Sequence, residues 1–180
     1  MPSAVYDQIP VLCASGSGGT PLAAFHAALV TIDLGQYNLV RMSSSIPPGT
    51  SIDGTGKAYV PAGAWGDRMY CVYAERCATE VGEEAWAGMG WVQHLDSGGG
   101  LFVEHEGPDE MFVTDAIRAS LRDLIAGQED LFSGPDWVVN GVTCTGEPVS
   151  SLVIAPYEST PWTGHKPGGQ PIDGRSEVAA

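Results

Sequence analysis

Three consecutive serines, Ser43, Ser44 and Ser45, close a run of strand-forming residues and lead into Ile46-Pro47-Pro48. A serine hydroxyl becomes a nucleophile only where a neighbouring group activates it, so by residue type alone the triplet reads as a polar turn. No G-x-S-x-G segment occurs, which leaves a Ser-His-Asp hydrolase without support. Further along, Glu104 and Glu106 flank His105. Strand alternation sets both carboxylates on one face and the imidazole on the other, so they cannot converge on one ion. His26, His94, His105 and His165 have no H-E-x-x-H or comparable ligand spacing, and no metal is expected. Gly16-Ser17-Gly18-Gly19-Thr20 invites a phosphate reading, because backbone amides at a helix start cradle anions. Pro21, however, stands where G-x-G-x-x-G needs its last glycine, and Gly56-Lys57 lacks the rest of a P-loop. A tight strand-to-helix turn is the better reading.

The elements that must position these residues follow from periodicity and punctuation. Residues 10–14 predict a short apolar strand before the glycine-rich turn. Thr20 is a helix N-cap and Pro21 its first residue, and Leu22, Phe25, Leu29 and Ile32 then form an apolar stripe until Gly35 ends the helix. Residues 36–43 predict a strand that stops in the serines, since Pro47 and Pro48 forbid both helix and central strand. A long loop is expected over residues 49–66, apart from a short strand at residues 57–60. Strands follow at residues 68–74, 85–92 and 101–106, the last pair joined as a hairpin across Asp96-Ser97-Gly98-Gly99-Gly100. Pro108 and Asp109 open a second helix, with Ile117, Leu121, Leu124 and Ile125 on one side and Gly127 as its stop. Strands at residues 137–143 and 151–155 complete the set, and the Gly-, Pro- and Ser-rich residues after Tyr157 predict a disordered tail.

Composition narrows the classes. The chain has 180 residues, with 22 acidic and 8 basic side chains and a formal net charge of −14. That balance repels phosphate backbones and anionic membranes, so neither nucleic acid nor a membrane surface is an expected partner. At 43% hydrophobic and 17% charged the chain is neither a disordered acidic segment nor a coiled coil, and strands with two helices predict one layered α/β domain. No stretch approaches the roughly 18 continuous apolar residues of a membrane helix, and the start lacks a signal-peptide pattern, so a cytoplasmic protein is expected. Cys13, Cys71, Cys77 and Cys144 form no C-x-x-C pair and are expected as reduced core residues.

Three blocks, taken together, carry a resemblance: Gly19-Thr-Pro-Leu-Ala-Ala-Phe25, then Asn38-Leu-Val-Arg41-Met-Ser43-Ser44-Ser-Ile-Pro47-Pro48, then Val103-Glu104-His-Glu106-Gly107. In this order and at similar intervals they resemble the pyruvoyl-dependent arginine decarboxylases, and the likeness extends less tightly over residues 10–156. The resemblance implies a single-domain, four-layer α/β/β/α sandwich over residues 1–156, with residues 157–180 as the tail. It further implies a homotrimer or a dimer of trimers, with active sites between neighbouring subunits.

By position in that family the backbone breaks between Ser43 and Ser44. The Ser44 hydroxyl would attack the Ser43 carbonyl, and the resulting ester would resolve into a β chain ending at Ser43 and an α chain opened by a pyruvoyl group. Asn38 matches the residue that assists cleavage, its amide being a suitable oxyanion donor. The pyruvoyl ketone, in place of pyridoxal phosphate and without a metal, would form a Schiff base with the substrate amine and act as the electron sink for loss of CO2. Glu104 matches the proton donor, for which burial can keep a carboxyl protonated near neutrality. Leu22, Gly35, Tyr37 and Ser45 match pocket positions, and His26 stands where the family places the aspartate that grips a guanidinium. An imidazole cannot supply that bidentate grip. Arginine, giving agmatine and CO2, is thus the nominal substrate, with a different amino acid or a non-processing binding scaffold as alternatives.

Overall fold

Thr20 and Asp109 begin the two helices, and both do so by the local chemistry the sequence predicts. In a computed structural model that describes residues 8–57, 60 and 63–162, the Thr20 hydroxyl accepts a hydrogen bond from the Ala23 amide at 3.2 Å and the Asp109 carboxylate accepts one from the Phe112 amide at 2.8 Å. The chain runs β1 (Gln8–Pro10), β2 (Leu12–Ser17), α1 (Pro21–Thr31), β3 (Asn38–Arg41), β4 (Ser45–Ile46), β5 (Ser51–Asp53) and β6 (Arg68–Ala78). It continues with β7 (Glu84–Gln93), β8 (Gly100–Gly107), α2 (Glu110–Leu124), β9 (Asp136–Thr143) and β10 (Val149–Thr160).

These strands make two four-stranded sheets, ordered β2-β10-β6-β3 and β4-β8-β7-β9, and a small parallel pair of β1 with β5. The result is a mixed α/β fold. One cluster of buried residues joins α1 to the first sheet through Ala28, Leu29, Leu12, Met69, Leu152 and Ile154. A second joins the sheets to each other, with Val72, Ala74, Val153 and Ala155 against Ala87, Met89, Trp91 and Phe102. A third joins α2 to the second sheet through Val113, Ile117 and Leu121 against Val92 and Val103. No helix among the described residues is long and apolar enough to cross a membrane.

Several expectations are corrected. Helix α1 ends at Thr31, where Asp33 takes a left-handed φ of 58°, rather than running to Gly35. Its inward face is Ala24, Ala28 and Leu29, whereas Leu22 of the expected stripe is 74% exposed. The reason is close backbone contact: a Cβ on Gly16 would lie 2.3 Å from the Ala28 nitrogen, so only small residues fit where the helix crosses Gly16. Likewise Leu124 of α2 is exposed, and the buried side is Val113, Ile117 and Leu121. The expected loop holds β5, paired in parallel with β1. The short strand expected at residues 57–60 is not formed at Lys57 or Val60, and Ala58 and Tyr59 lie outside the described residues. Strand β10 continues past the expected domain boundary to Thr160, and the tail from residue 163 lies outside the described residues. Cys71 and Cys144 are buried free thiols, but Cys13 is exposed and Cys77 half-buried.

Gly16→Ala should lower the free energy of unfolding by about 1–3 kcal/mol, the usual cost of overpacking. Gly19→Ala, whose added Cβ would meet nothing within 4 Å, should leave the urea midpoint nearly unchanged. Equal midpoints for the two variants would contradict this packing.

Candidate active site

The chain passes from the first sheet to the second at the serines. β3 and β4 are the edge strands of their sheets, and Met42, Ser43 and Ser44 are all that joins them. The Met42 amide still donates to the Cys71 carbonyl of the first sheet at 2.8 Å, while the Ser44 carbonyl already accepts from the Phe102 amide of the second at 2.8 Å. Ser43, between these anchors, is exposed. This is the geometry of the continuous chain on both sides of the Ser43–Ser44 linkage.

Ser44 is held with φ at 69°, in the left-handed region. For a residue with a Cβ such a conformation costs about 1–3 kcal/mol and persists only where surrounding contacts impose it. Two contacts do so. The Phe102 amide fixes the carbonyl, and the Ser44 hydroxyl donates to Glu104 Oε1 at 2.7 Å.

Glu104 sits mid-strand on β8, opposite Met89 of β7. Burial pushes its carboxyl above the usual range, opposed by the Ser44 hydrogen bond and by the positive charge of Arg41. Arg41, the last residue of β3, stacks its guanidinium 4.8 Å from the Tyr73 ring centroid and donates to the Tyr73 carbonyl at 2.9 Å. Together with Tyr73, Glu75 and Glu106 these groups line a cleft of about 380 Å³. His105 points the other way, its Nε2 2.8 Å from the Ser120 hydroxyl of α2, as strand alternation requires. Among the described residues no cluster of three or more His, Cys, Asp and Glu side chains could hold a metal ion.

The remaining expected residues fall into separate places. Ser45 pairs with Leu101 beside the site and is exposed. Leu22 and His26, one helical turn apart, project outward from α1, and a Cβ on Gly35 would lie 3.4 Å from His26 Cε1, so these three form one surface group. Tyr37 is 8% exposed and packs into the core beside α1. Asn38 opens β3 at the end away from Ser44. Strand geometry puts about 10 Å between its Cα and that of Arg41, and its side-chain amide donates to the Gly66 carbonyl at 2.9 Å. It lines a different cleft, with Trp65, Asp67 and Trp162. Within one chain, then, Ser43, Ser44, Ser45 and Glu104 come together, and Asn38, Leu22, His26, Gly35 and Tyr37 do not join them. The sequence reading gave no role to Arg41, although a basic residue three positions before Ser44 in an acidic chain was a usable signal.

Residues 8–147 match the family described as pyruvoyl-dependent arginine decarboxylase. The chain is 31% identical over 154 residues to the pyruvoyl-dependent arginine decarboxylase of Halobacterium salinarum, covering 83% of this chain and 93% of that protein. It is 36% identical over 95 residues to that of Thermococcus kodakarensis, covering 52% and 57% respectively. A solved structure of a pyruvoyl-dependent histidine decarboxylase at pH 8 is similar over 52% of this chain and 51% of its own, at 18% identity and a TM-score of 0.38. The class so defined is that of carboxy-lyases that depend on a covalently bound pyruvoyl group. The chain belongs to the pyruvoyl-dependent arginine decarboxylase family. Position 44 suits that group: its carbonyl is already fixed by an amide, its side chain already meets a carboxyl, and the linkage before it is open to water.

The raised affinity of Glu104 for its proton has a measurable sign. A carboxyl whose folded pKa exceeds its unfolded one makes the native state bind more protons, so the native state loses stability as pH rises through that range. In a Ser44→Ala background, Glu104→Gln should therefore gain stability relative to its parent as pH rises from the acid side of the carboxylate range to neutrality. A difference that is flat or falls with pH would contradict the burial argument.

Proposed function

We propose that the chain processes itself between Ser43 and Ser44 and then decarboxylates an amino acid. The observation that carries this reading is the 2.7 Å hydrogen bond from the Ser44 hydroxyl to Glu104 at a strained residue in the family's position for cleavage. Glu104 accepts the hydroxyl proton as Ser44 Oγ bonds to the Ser43 carbonyl carbon, and that proton passes to the Ser44 nitrogen as the amide C–N bond breaks, leaving an ester and a free amine. Elimination then gives up the Ser44 Cα proton to water and breaks the Cβ–Oγ bond, so that oxygen departs in the Ser43 carboxylate, and addition of one water with loss of one ammonia leaves a pyruvoyl group at position 44. Cleavage also releases the left-handed strain at Ser44.

The chemistry a pyruvoyl group supplies is an electrophilic ketone that takes up an amine and accepts the electron pair left when CO2 departs. Glu104 then holds the proton that is returned to the substrate carbon. Burial favours its protonated form, which suits a donor working near neutrality. Arg41 limits how far that shift goes and places a positive charge in the cleft.

The separation of Asn38, Leu22, His26 and Gly35 from Ser44 within one chain supports a trimer, or a pair of trimers, in which a neighbouring subunit completes each site. In that arrangement Asn38 assists cleavage, and Ser45 and Tyr37 shape the pocket from their own elements. The three buried clusters, in the order helix, sheet, sheet, helix, support a four-layer α/β/β/α sandwich. The single domain covers residues 1–156, its last strand runs on to Thr160, and the compartment is the cytoplasm. Arginine is the nominal substrate. An amino acid with a less basic side chain is favoured by one observation, the exposed imidazole of His26 in place of a carboxylate.

On a denaturing gel the native protein should run as two fragments, and Ser44→Ala as one chain that releases no CO2 from any amino acid. A native protein that stays whole, or a Ser44→Ala chain that still decarboxylates, would end the proposal. Across a panel of amino acids, His26→Asp should raise the kcat/KM for arginine by about tenfold or more, the scale of one charge-assisted contact. No change would remove His26 from the pocket.

A further inference from the structure

Tyr157 has a buried hydroxyl that nothing in the unprocessed chain engages. Its oxygen is closed to solvent and without a hydrogen-bond partner. Burying a polar group in this way forfeits its hydration without return, so an unpartnered one calls for an explanation.

The placement is specific. Strand β10 pairs with β6 up to Pro156 opposite Cys71 and resumes with Glu158 opposite Tyr70, so Tyr157 is the extra residue of a β-bulge. Bulges of this kind re-aim a side chain, and they recur next to active sites. Here the ring packs on the cluster between the sheets and meets Phe102 edge-on, with centroids 6.1 Å apart. Phe102 is the residue whose amide holds the Ser44 carbonyl, and Glu104, two residues on, shares its face of β8. Burial first, then the charge of Glu104, and then Cys71, push the Tyr157 phenol far above its ordinary value, so it stays a donor at any working pH. The other charged or titratable groups around this point are Arg41 of β3 and Tyr73, Glu75 and Cys71 of β6, with Glu106 of β8 in the same cleft. Cys71 is itself pushed up to about 12 by burial and remains a thiol.

Resting on the proposed self-processing, the next step concerns Glu104. In the whole chain it accepts the Ser44 hydroxyl. Processing carries that oxygen away in the Ser43 carboxylate, and a ketone has no proton to offer in its place. A half-buried carboxyl thereby loses its donor in the same region as a buried hydroxyl that lacks an acceptor. We propose that Tyr157 is a positioning residue, whose hydroxyl takes over the hydrogen bond to Glu104 once Ser44 has been consumed. Glu104 is thus held in place for the proton return, and the vacant partner in the precursor is explained by its use in the product.

The test uses Tyr157→Phe in the full chain, with processing followed by intact mass and turnover by CO2 release against pH. The variant should still cut itself, because Ser44 serves Glu104 in the precursor. Its kcat should fall about tenfold with KM little changed. A hydrogen bond donated to a carboxylate favours the ionised form, so its loss should also move the alkaline limb, where Glu104 must be protonated, to higher pH. A processed Tyr157→Phe enzyme with wild-type kcat and pH profile would overturn the proposal. A second measurement needs no turnover. In the Ser44→Ala background the Glu104 donor is already missing, so adding Tyr157→Phe should lower the urea midpoint, and an unchanged or raised midpoint would overturn the same claim. If the native chain instead stays whole, the self-processing reading fails, while the midpoint comparison still decides whether Tyr157 serves Glu104.

Discussion

The hydrogen bond between Ser44 and Glu104 depends on a topological constraint: the chain has three residues in which to leave one sheet and enter the other. Met42 is bonded to the first sheet and Ser44 to the second, so the backbone between them has little freedom. The left-handed φ of Ser44 is what such a short crossing demands of a residue that is not glycine. A glycine there would relieve the strain but carry no hydroxyl. The same two sheets, held face to face by the cluster of Val72, Val153, Met89 and Phe102, set the position of β8 and therefore of Glu104. Reactive geometry and core packing are in this respect one problem.

Charge around the site is balanced on a small scale. In a chain with only 8 basic residues, one of them, Arg41, is spent next to Glu104, where it opposes the effect of burial. Its guanidinium is held by the Tyr73 ring and carbonyl, on the lining of the cleft that Glu104 shares. In the proposed function Glu104 first accepts a proton from a hydroxyl and later returns one to carbon, and an acid with both tasks needs an affinity between the extremes. Burial opposed by a fixed cation provides that.

Much of this was legible from local signals. Thr20 and Asp109 cap helices through contacts three residues long, and sequence shows such contacts directly. The strands around Glu104 and the hairpin before it follow from alternation and a glycine-rich turn. What was misread depends on distant partners. Of the apolar stripe of α1, Leu29 is buried and Phe25 and Ile32 pack on the core, but Leu22 points outward, because Gly16 of β2 brings the Ala24 and Ala28 face closest to the sheet. Strand β5 exists because β1, over forty residues earlier, pairs with it. Ser44 and Glu104 are 60 residues apart, and their partnership could be anticipated only through the resemblance, which also named Asn38 without showing that it sits at the other end of β3. The bulge at Tyr157 left no trace in composition or period, because a one-residue slip in a register is a property of two strands together.

The central claim is that the seryl linkage at this crossing converts itself into a ketone. Reducing the purified native protein with borohydride and then mapping its peptides by mass tests that claim most directly. Self-processing should yield one peptide ending in a free carboxylate at Ser43 and another beginning with a reduced pyruvoyl at position 44. A peptide running unbroken through Ser43 and Ser44 in the natively assembled protein, or a carbonyl found at any other residue, would contradict it.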